Sequence, residues 1–252
     1  MSTTHLSIEV VGGRIQFSSF KNQTLLNQYE ITVDENNYSL LSEEIDQHIS
    51  SNNFITKEHD EVTLSVATNK SSVLPSNVFR ESSAKEIYHL CFGDTEKEID
   101  YNHISELGIV NVFNYSSWIK RYFVMKFPRV IFQNEATLVL RQVMSDNSFF
   151  VKLTVIVHKD FFQLTISKHN ELVYYSFFDC QNQEDIIYHM LFTLQQKELV
   201  DEKGTIVISK AFDADKELTD QLIKDIAKVK DFSKLNIQPV EDYISKSHFL
   251  CV

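Results

Sequence analysis

FVKLTVIVHKDFFQLTISKHNELVYYSFF, residues 150–178, reads as three short strands joined by two tight turns. Its β-branched and aromatic runs are bounded by His158-Lys159-Asp160 and by His169-Asn170, the polar punctuation of a hairpin meander. The same plan stands near the start of the chain. HLSIEVV (5–11) meets Gly12-Gly13, RIQFSSF (14–20) meets Lys21-Asn22, and TLLNQYEITV follows from residue 24. The turns of the two copies lie about 147 residues apart, so the 252-residue chain is read as two similar halves. The division expected is an N-terminal half, 1–148, with 100–148 as a connecting region, and a C-terminal half, 149–252.

Each meander leads into an amphipathic helix. Leu41, Ile45 and Ile49 recur at helical spacing within 40–51, and Ile187, Met190, Leu191 and Leu194 form the apolar stripe of a helix over 183–198 opened by Asn182. EVTLSVAT (61–68) is a further strand, and GTIVIS (204–209) has the unbroken apolar run of a buried parallel strand. In the middle, GIVNVFNY (108–115) reads as a strand and SSWIKRYFVM (116–125) as a serine-capped helix stopped by Pro128. NEATLVLRQVM (134–144) is a helix with Asn134 as its cap, and Asp213 or Asp215 caps a last helix. Beyond it the chain reads as an irregular tail through Pro239. The class is α/β: duplicated halves, each a three-stranded antiparallel meander plus parallel strands and helices.

Charge narrows the partners. Residues 1–148 carry 12 basic and 19 acidic side chains and residues 149–252 carry 12 and 16, so neither half offers a basic surface for phosphates and nucleic acid is disfavoured. No apolar run approaches a membrane span, and MSTTHLSIEV lacks the pattern of a signal peptide. Cys91, Cys180 and Cys251 show no metal or redox spacing, which fits structural thiols in a reducing cytoplasm. Glycine is scarce: five residues in 252, against about 7% in an average chain. Backbone that wraps a phosphate depends on glycine, so the chain has few places to build such loops.

The duplicated order resembles the actin-like ATPase superfamily, a ribonuclease H-like architecture shared by actin, sugar kinases and Hsp70. At the level of residues the chain resembles the DUF3822 family of Bacteroidetes, whose function is unknown. That likeness rests on VLPSNVF (73–79), GIVNVFNYSSWIKRYF with KFP (108–128), and VIVHKDFFQLTISKHNELVYYSFFDCQNQEDIIYHMLFTLQQ (155–196). The plan also resembles the pilus-assembly branch of the actin-like fold, whose members are scaffolds.

The superfamily resemblance implies three nucleotide loops, and the residues here depart from each. The first hairpin has Glu9 as the only acid on its strand, with Val11-Gly12-Gly13 where an acid–x–Gly is required. The second turn, His158-Lys159-Asp160, has no glycine, and bulky Phe161 and Phe162 follow. Where the resemblance places adenosine, GTIVIS runs into Lys210-Ala211-Phe212, again without glycine. The reading is therefore a cytoplasmic, non-catalytic interaction or regulatory module on a degenerate actin-like fold, with a protein partner and no cofactor. One alternative is a nucleotide-binding protein or ATPase that holds Mg-ATP in a divergent cleft around Glu9, Gly12, Gly13, Lys159 and Asp160. Another is a small-anion sensor without turnover. Trp118, Lys120, Arg121, Lys126 and Arg129 form a candidate interaction patch, mixing an aromatic ring with four cations; the bland alternative is a core helix with cations towards its C-terminus. Asp213 and Asp215 as Mg²⁺ ligands are weighed against plain helix capping.

Overall fold

The structure is a computed structural model that describes residues 3–35 and 38–251. The chain divides into two compact units, Met1–Leu138 with Ser245–Val252, and Val139–Ile244. Beside a cut after residue 148, the unit boundary falls inside a helix, and the last eight residues belong to the first unit.

In the first unit, β1 (Thr4–Val11), β2 (Arg14–Lys21) and β3 (Thr24–Thr32) form the meander. There follow α1 (Tyr38–Ser50), the single turn α2 (Asn53–Thr56) and β4 (Glu61–Ala67). Next come β5 (Ser71–Pro75), α3 (Ala84–Phe92), β6 (Glu98–Ile104), β7 (Ile109–Tyr115), α4 (Ser117–Lys126) and β8 (Ile131–Asn134). The main sheet has the order β3-β2-β1-β4-β8, with β4 parallel to both β1 and β8. Leu41, Ile45 and Ile49 of α1 are all buried against it, as their spacing required. Each such side chain contributes about 2 kcal/mol by leaving water. A second, three-stranded sheet, β5-β7-β6, packs its own small core around Tyr88 of α3, Val110 and Val112. Strand β6 is weakly marked in the sequence: EIDYNHI is half-exposed along most of its length and carries Asp100, Asn102 and His103 in place of a β-branched run.

The helix α5 (Glu135–Ser145) precedes the second meander, β9 (Val151–Val157), β10 (Phe161–Lys168) and β11 (Glu171–Asp179). Then follow α6 (Gln183–Gln196), β12 (Gly204–Lys210), α7 (Lys216–Ile226), β13 (Leu235–Pro239) and α8 (Tyr243–Ser247). The sheet order is β11-β10-β9-β12-β13, the counterpart of the first. β12 is parallel to both neighbours, which accounts for its unbroken apolar run. The segment read as an irregular tail contains β13: LNIQP pairs from Gly204↔Leu235 to Ile208↔Pro239, and its proline is tolerated because the strand lies at the sheet edge.

The duplication holds residue by residue. Gly12-Gly13 and Lys159-Asp160 occupy the first turns, and Asn22-Gln23 and His169-Asn170 the second, in each case 147 positions apart. Lys21 is still in β2, paired with Thr24, so the first copy's second turn is Asn22-Gln23 rather than Lys21-Asn22. All four of these second-turn residues have positive φ, 48° and 63° in one copy and 53° and 60° in the other, as a type I′ hairpin demands. Each outer hairpin then skips one residue, Leu26 and Val173, again 147 apart. The polar residues on the inner strands repeat too: Ser7 and Thr154, Gln16 and Gln163, Ser18 and Thr165 are all buried.

Candidate functional site

In the first unit, Val11 pairs with Arg14 across a two-residue turn. Gly12 has φ +57°, and a side chain on Gly13 would place its Cβ 2.3 Å from the carbonyl oxygen of Val33. The Val33 amide in turn donates to the Gly13 carbonyl at 2.7 Å. Both glycines are thus explained by hairpin geometry and by close backbone packing.

Glu9 points to the polar side of the same sheet and is 2% exposed. The hydroxyl of Ser245, from the C-terminal segment, donates to its Oε1. That segment supplies a second anchor, His248. Thr63 Oγ1 lies 2.7 Å from His5 Nε2 and 2.6 Å from His248 Nδ1, and His248 Nε2 lies 3.1 Å from Ser65 Oγ. Neutral rings satisfy the chain when His5 donates to Thr63, Thr63 to His248, and His248 to Ser65. Burial, reinforced by His59, lowers His5 to about 4. Burial, reinforced by His5, lowers His248 to about 3. The ring of Phe249 packs edge-on against His5 at 4.9 Å. None of this was visible in the sequence, where the two histidines are isolated and nearly the whole chain apart.

In the second unit the turn residues Lys159 and Asp160 are exposed, while His158 is completely buried. Of the three polar residues at this turn, His158 alone is withdrawn from solvent. Its amide donates to the Phe161 carbonyl at 2.9 Å, its ring stacks on Phe161 at 4.2 Å, and its Nδ1 lies 2.9 Å from Asp213 Oδ1. The Lys159 amide donates to Asp213 Oδ2. Burial pushes the Asp213 carboxyl up, but the hydrogen bonds from His158 and Lys159 outweigh it and hold the group below the usual carboxylate range. Asp215, not Asp213, caps α7, accepting from the Glu217 amide at 2.9 Å. Where β12 ends, the loop is closed on itself: the Ala211 amide donates to Val157, and Lys210 Nζ to the carbonyls of Ala211 and Ala214. Among the described residues no group of three or more His, Cys, Asp or Glu side chains is arranged to hold a metal ion.

The aromatic and cationic residues of α4 part company. Trp118, Ile119, Tyr122 and Phe123 are buried in the core, so the three aromatic rings are not open to a base or a partner. Ser116 stands at the N-cap without a side-chain capping bond. Lys120 Nζ bonds Asp100 at 2.6 Å over the Phe132 ring, and Lys126 shares Asp46 with the Tyr122 hydroxyl. Arg121 and Arg129 are exposed. Lys126 and Arg129 also line an open surface depression of about 480 Å³ with Lys57, His59, Val62 and Phe127.

The chain belongs to the DUF3822 family of proteins of unknown function, whose model matches residues 1–229. Its fold is that of a Bacteroides thetaiotaomicron protein with an actin-like ATPase fold and unknown function. That structure superposes with a TM-score of 0.78 at 17% identity, over 99% of this chain and 96% of that one. A second similar structure is the PilM-PilN type IV pilus biogenesis complex, with a TM-score of 0.58 and 11% identity over 94% of this chain and 88% of that one. These likenesses establish the actin-like fold. No curated protein matches the chain in sequence. Among the described residues no helix is long and apolar enough to cross a membrane.

Proposed function

We propose that this chain is a protein-interaction or regulatory module that uses the actin-like fold as a scaffold and does not hydrolyse ATP. The observation that carries the reading is the state of Glu9. It is the only acid on the strand before the first hairpin, and it is buried and bonded to Ser245 of the chain's own C-terminal segment. A carboxylate that is to orient a metal-bound nucleotide must be open to it, and burial together with the Ser245 hydroxyl speaks against that for Glu9. The second unit supports the same reading, since its turn is glycine-free and Asp213 is engaged by His158 and the Lys159 amide. The fold itself serves as a partner-binding scaffold elsewhere, PilM having been solved in complex with PilN.

A thermal-unfolding scan with and without millimolar Mg-ATP tests this. The expected result is no shift. A ligand at a hundred times its dissociation constant adds about 2.7 kcal/mol, which for a chain of this size raises Tm by roughly 5–11 °C. A rise of that order, lost in Lys159→Ala or Asp160→Ala, would overturn the reading in favour of nucleotide binding.

A further inference from the structure

The two meanders end in topologically equivalent edge strands that differ sharply in character. Each is the first strand in the order of its five-stranded sheet and pairs on one side only. β3, TLLNQYEIT, is exposed along most of its length and carries Asn27, Gln28 and Glu30, the last paired with Arg14. A polar, charged edge is the usual guard against unwanted strand pairing. β11, ELVYYSFFD, has no charge and no proline between Glu171 and Asp179, and five of its seven intervening residues are Val, Tyr or Phe grouped around Ser176 with Leu172. The residue skipped at Val173 leaves Tyr174–Asp179 in regular register with β10, and the first five of these six residues are uncharged.

Two neighbouring features say what such an edge would accept. α6 lies along β11, with His189 stacked on Phe178 at 4.1 Å and Lys197 Nζ 5.5 Å above the Tyr174 ring. On this helix Tyr188 (61% exposed) and Phe192 (46%) stack on each other at 6.0 Å. The far end of the strand is acidic. The Asp160 carbonyl accepts from the Cys180 amide, and Asp160, Asp179 and Asp185 are close enough that, after burial, their charges help push the Cys180 thiol up to about 11.

We propose that the outer edge of β11 is a strand-addition site for an extended segment of a partner protein, one with alternating apolar residues and Lys or Arg at its ends. The backbone of the added strand completes the ladder, its apolar side chains meet Tyr188 and Phe192, and its cations meet Asp160 and Asp179. A second copy of the chain is a poor occupant. Pairing β11 with itself along its full length opposes Glu171 to Asp179 or sets each against its own kind, and like charges across a ladder destabilise it. The chain's net charge of −11 disfavours self-association further and favours a basic segment.

This inference rests on the interaction-module reading and locates its site. The test is hydrogen–deuterium exchange of the full chain with a synthetic peptide, acetyl-Lys-Lys-Val-Thr-Ile-Thr-Val-Lys-Lys-amide, and with a counterpart in which Glu replaces every Lys. The Lys-flanked probe at ten times its dissociation constant should slow exchange in Tyr174–Asp179 about tenfold, leave β3 unchanged, and lose potency against Asp160→Lys. The Glu-flanked probe should have no effect. Absence of protection at millimolar probe, equal protection by the Glu-flanked peptide, or equal protection of β3 would each overturn the site. Those results leave the interaction-module reading standing, whereas stabilisation by Mg-ATP would remove that reading without touching the exchange result.

Discussion

Acidification should unfold the first unit through its two buried histidines, and the size of the effect follows from their environment. His5 is 2% exposed and His248 1% exposed, and both are neutral in the folded protein, with values lowered to about 4 and about 3. In the unfolded chain each returns to about 6.5. Between pH 6.5 and about 4 the unfolded state therefore binds protons that the folded state refuses, and stability falls as pH falls. The contribution is complete above pH 6.5; the His5 part is gone near pH 4 and the His248 part near pH 3, where each folded ring also takes a proton. From pH 7 to pH 5 each ring accounts for about 2 kcal/mol, so the pair accounts for about 4. At 2–4 °C per kcal/mol, Tm should drop on the order of 10 °C. Trp118 is the chain's single tryptophan and lies buried in the core of this unit, so its fluorescence reports the unfolding that matters. His248→Gln keeps a polar side chain beside Thr63 and Ser65 but cannot titrate, and it should remove about half of the acid sensitivity. Gln in place of both histidines should remove most of it. A Tm read by Trp118 that stays flat from pH 7 to pH 5, or a fall undiminished in the double variant, would refute the account. The Glu61 carboxylate, 3.7 Å from His5 Nδ1, is the group best placed to rescue a protonated ring. Glu61→Gln should therefore deepen the loss of stability only below about pH 5, where the folded His5 ring begins to take its proton.

Two backbone predictions use the duplicated turns and the scarce glycines. A Cβ at Gly204 would sit 1.8 Å from the Val151 carbonyl oxygen, where β12 and β9 run parallel, so Gly204→Ala should cost about 3 kcal/mol. Gly108→Ala meets no atom within 4 Å and bears only the strain of the left-handed φ +63°, ψ 28°, about 1 kcal/mol, so urea midpoints should rank the two in that order. Gln23 holds φ 63° in a type I′ turn, a position that glycine fills without strain, so Gln23→Gly should stabilise by about 1 kcal/mol. A Tm unchanged or lowered in that variant would contradict the turn assignment.

How far the sequence discloses this molecule depends on the range of the interactions involved. The meanders are local: hairpin turns, β-branched runs and helix stripes are written within a dozen residues of one another, and they return at a spacing of 147. Even there, Lys21-Asn22 reads as well for a turn as Asn22-Gln23, and only the pairing of Lys21 with Thr24 decides between them. β13 was missed because LNIQP ends in a proline that only an edge position excuses. The candidate site is a different matter, because its partners are distant in sequence. Glu9 meets Ser245, Thr63 meets His248, and His158 meets Asp213, and no local pattern marks any of these pairs. The aromatic and cationic stretch of α4 misleads for the opposite reason: successive helix residues turn by about 100°, so neighbours in sequence divide between faces, Trp118, Ile119, Tyr122 and Phe123 going inward while Arg121 goes outward. The contrast between β3 and β11 was legible all along, since TLLNQYEIT and ELVYYSFFD stand in the same place of the two copies. A duplicated fold supplies its own reference, and the copy that abandons a shared safeguard is where a binding role should be sought first.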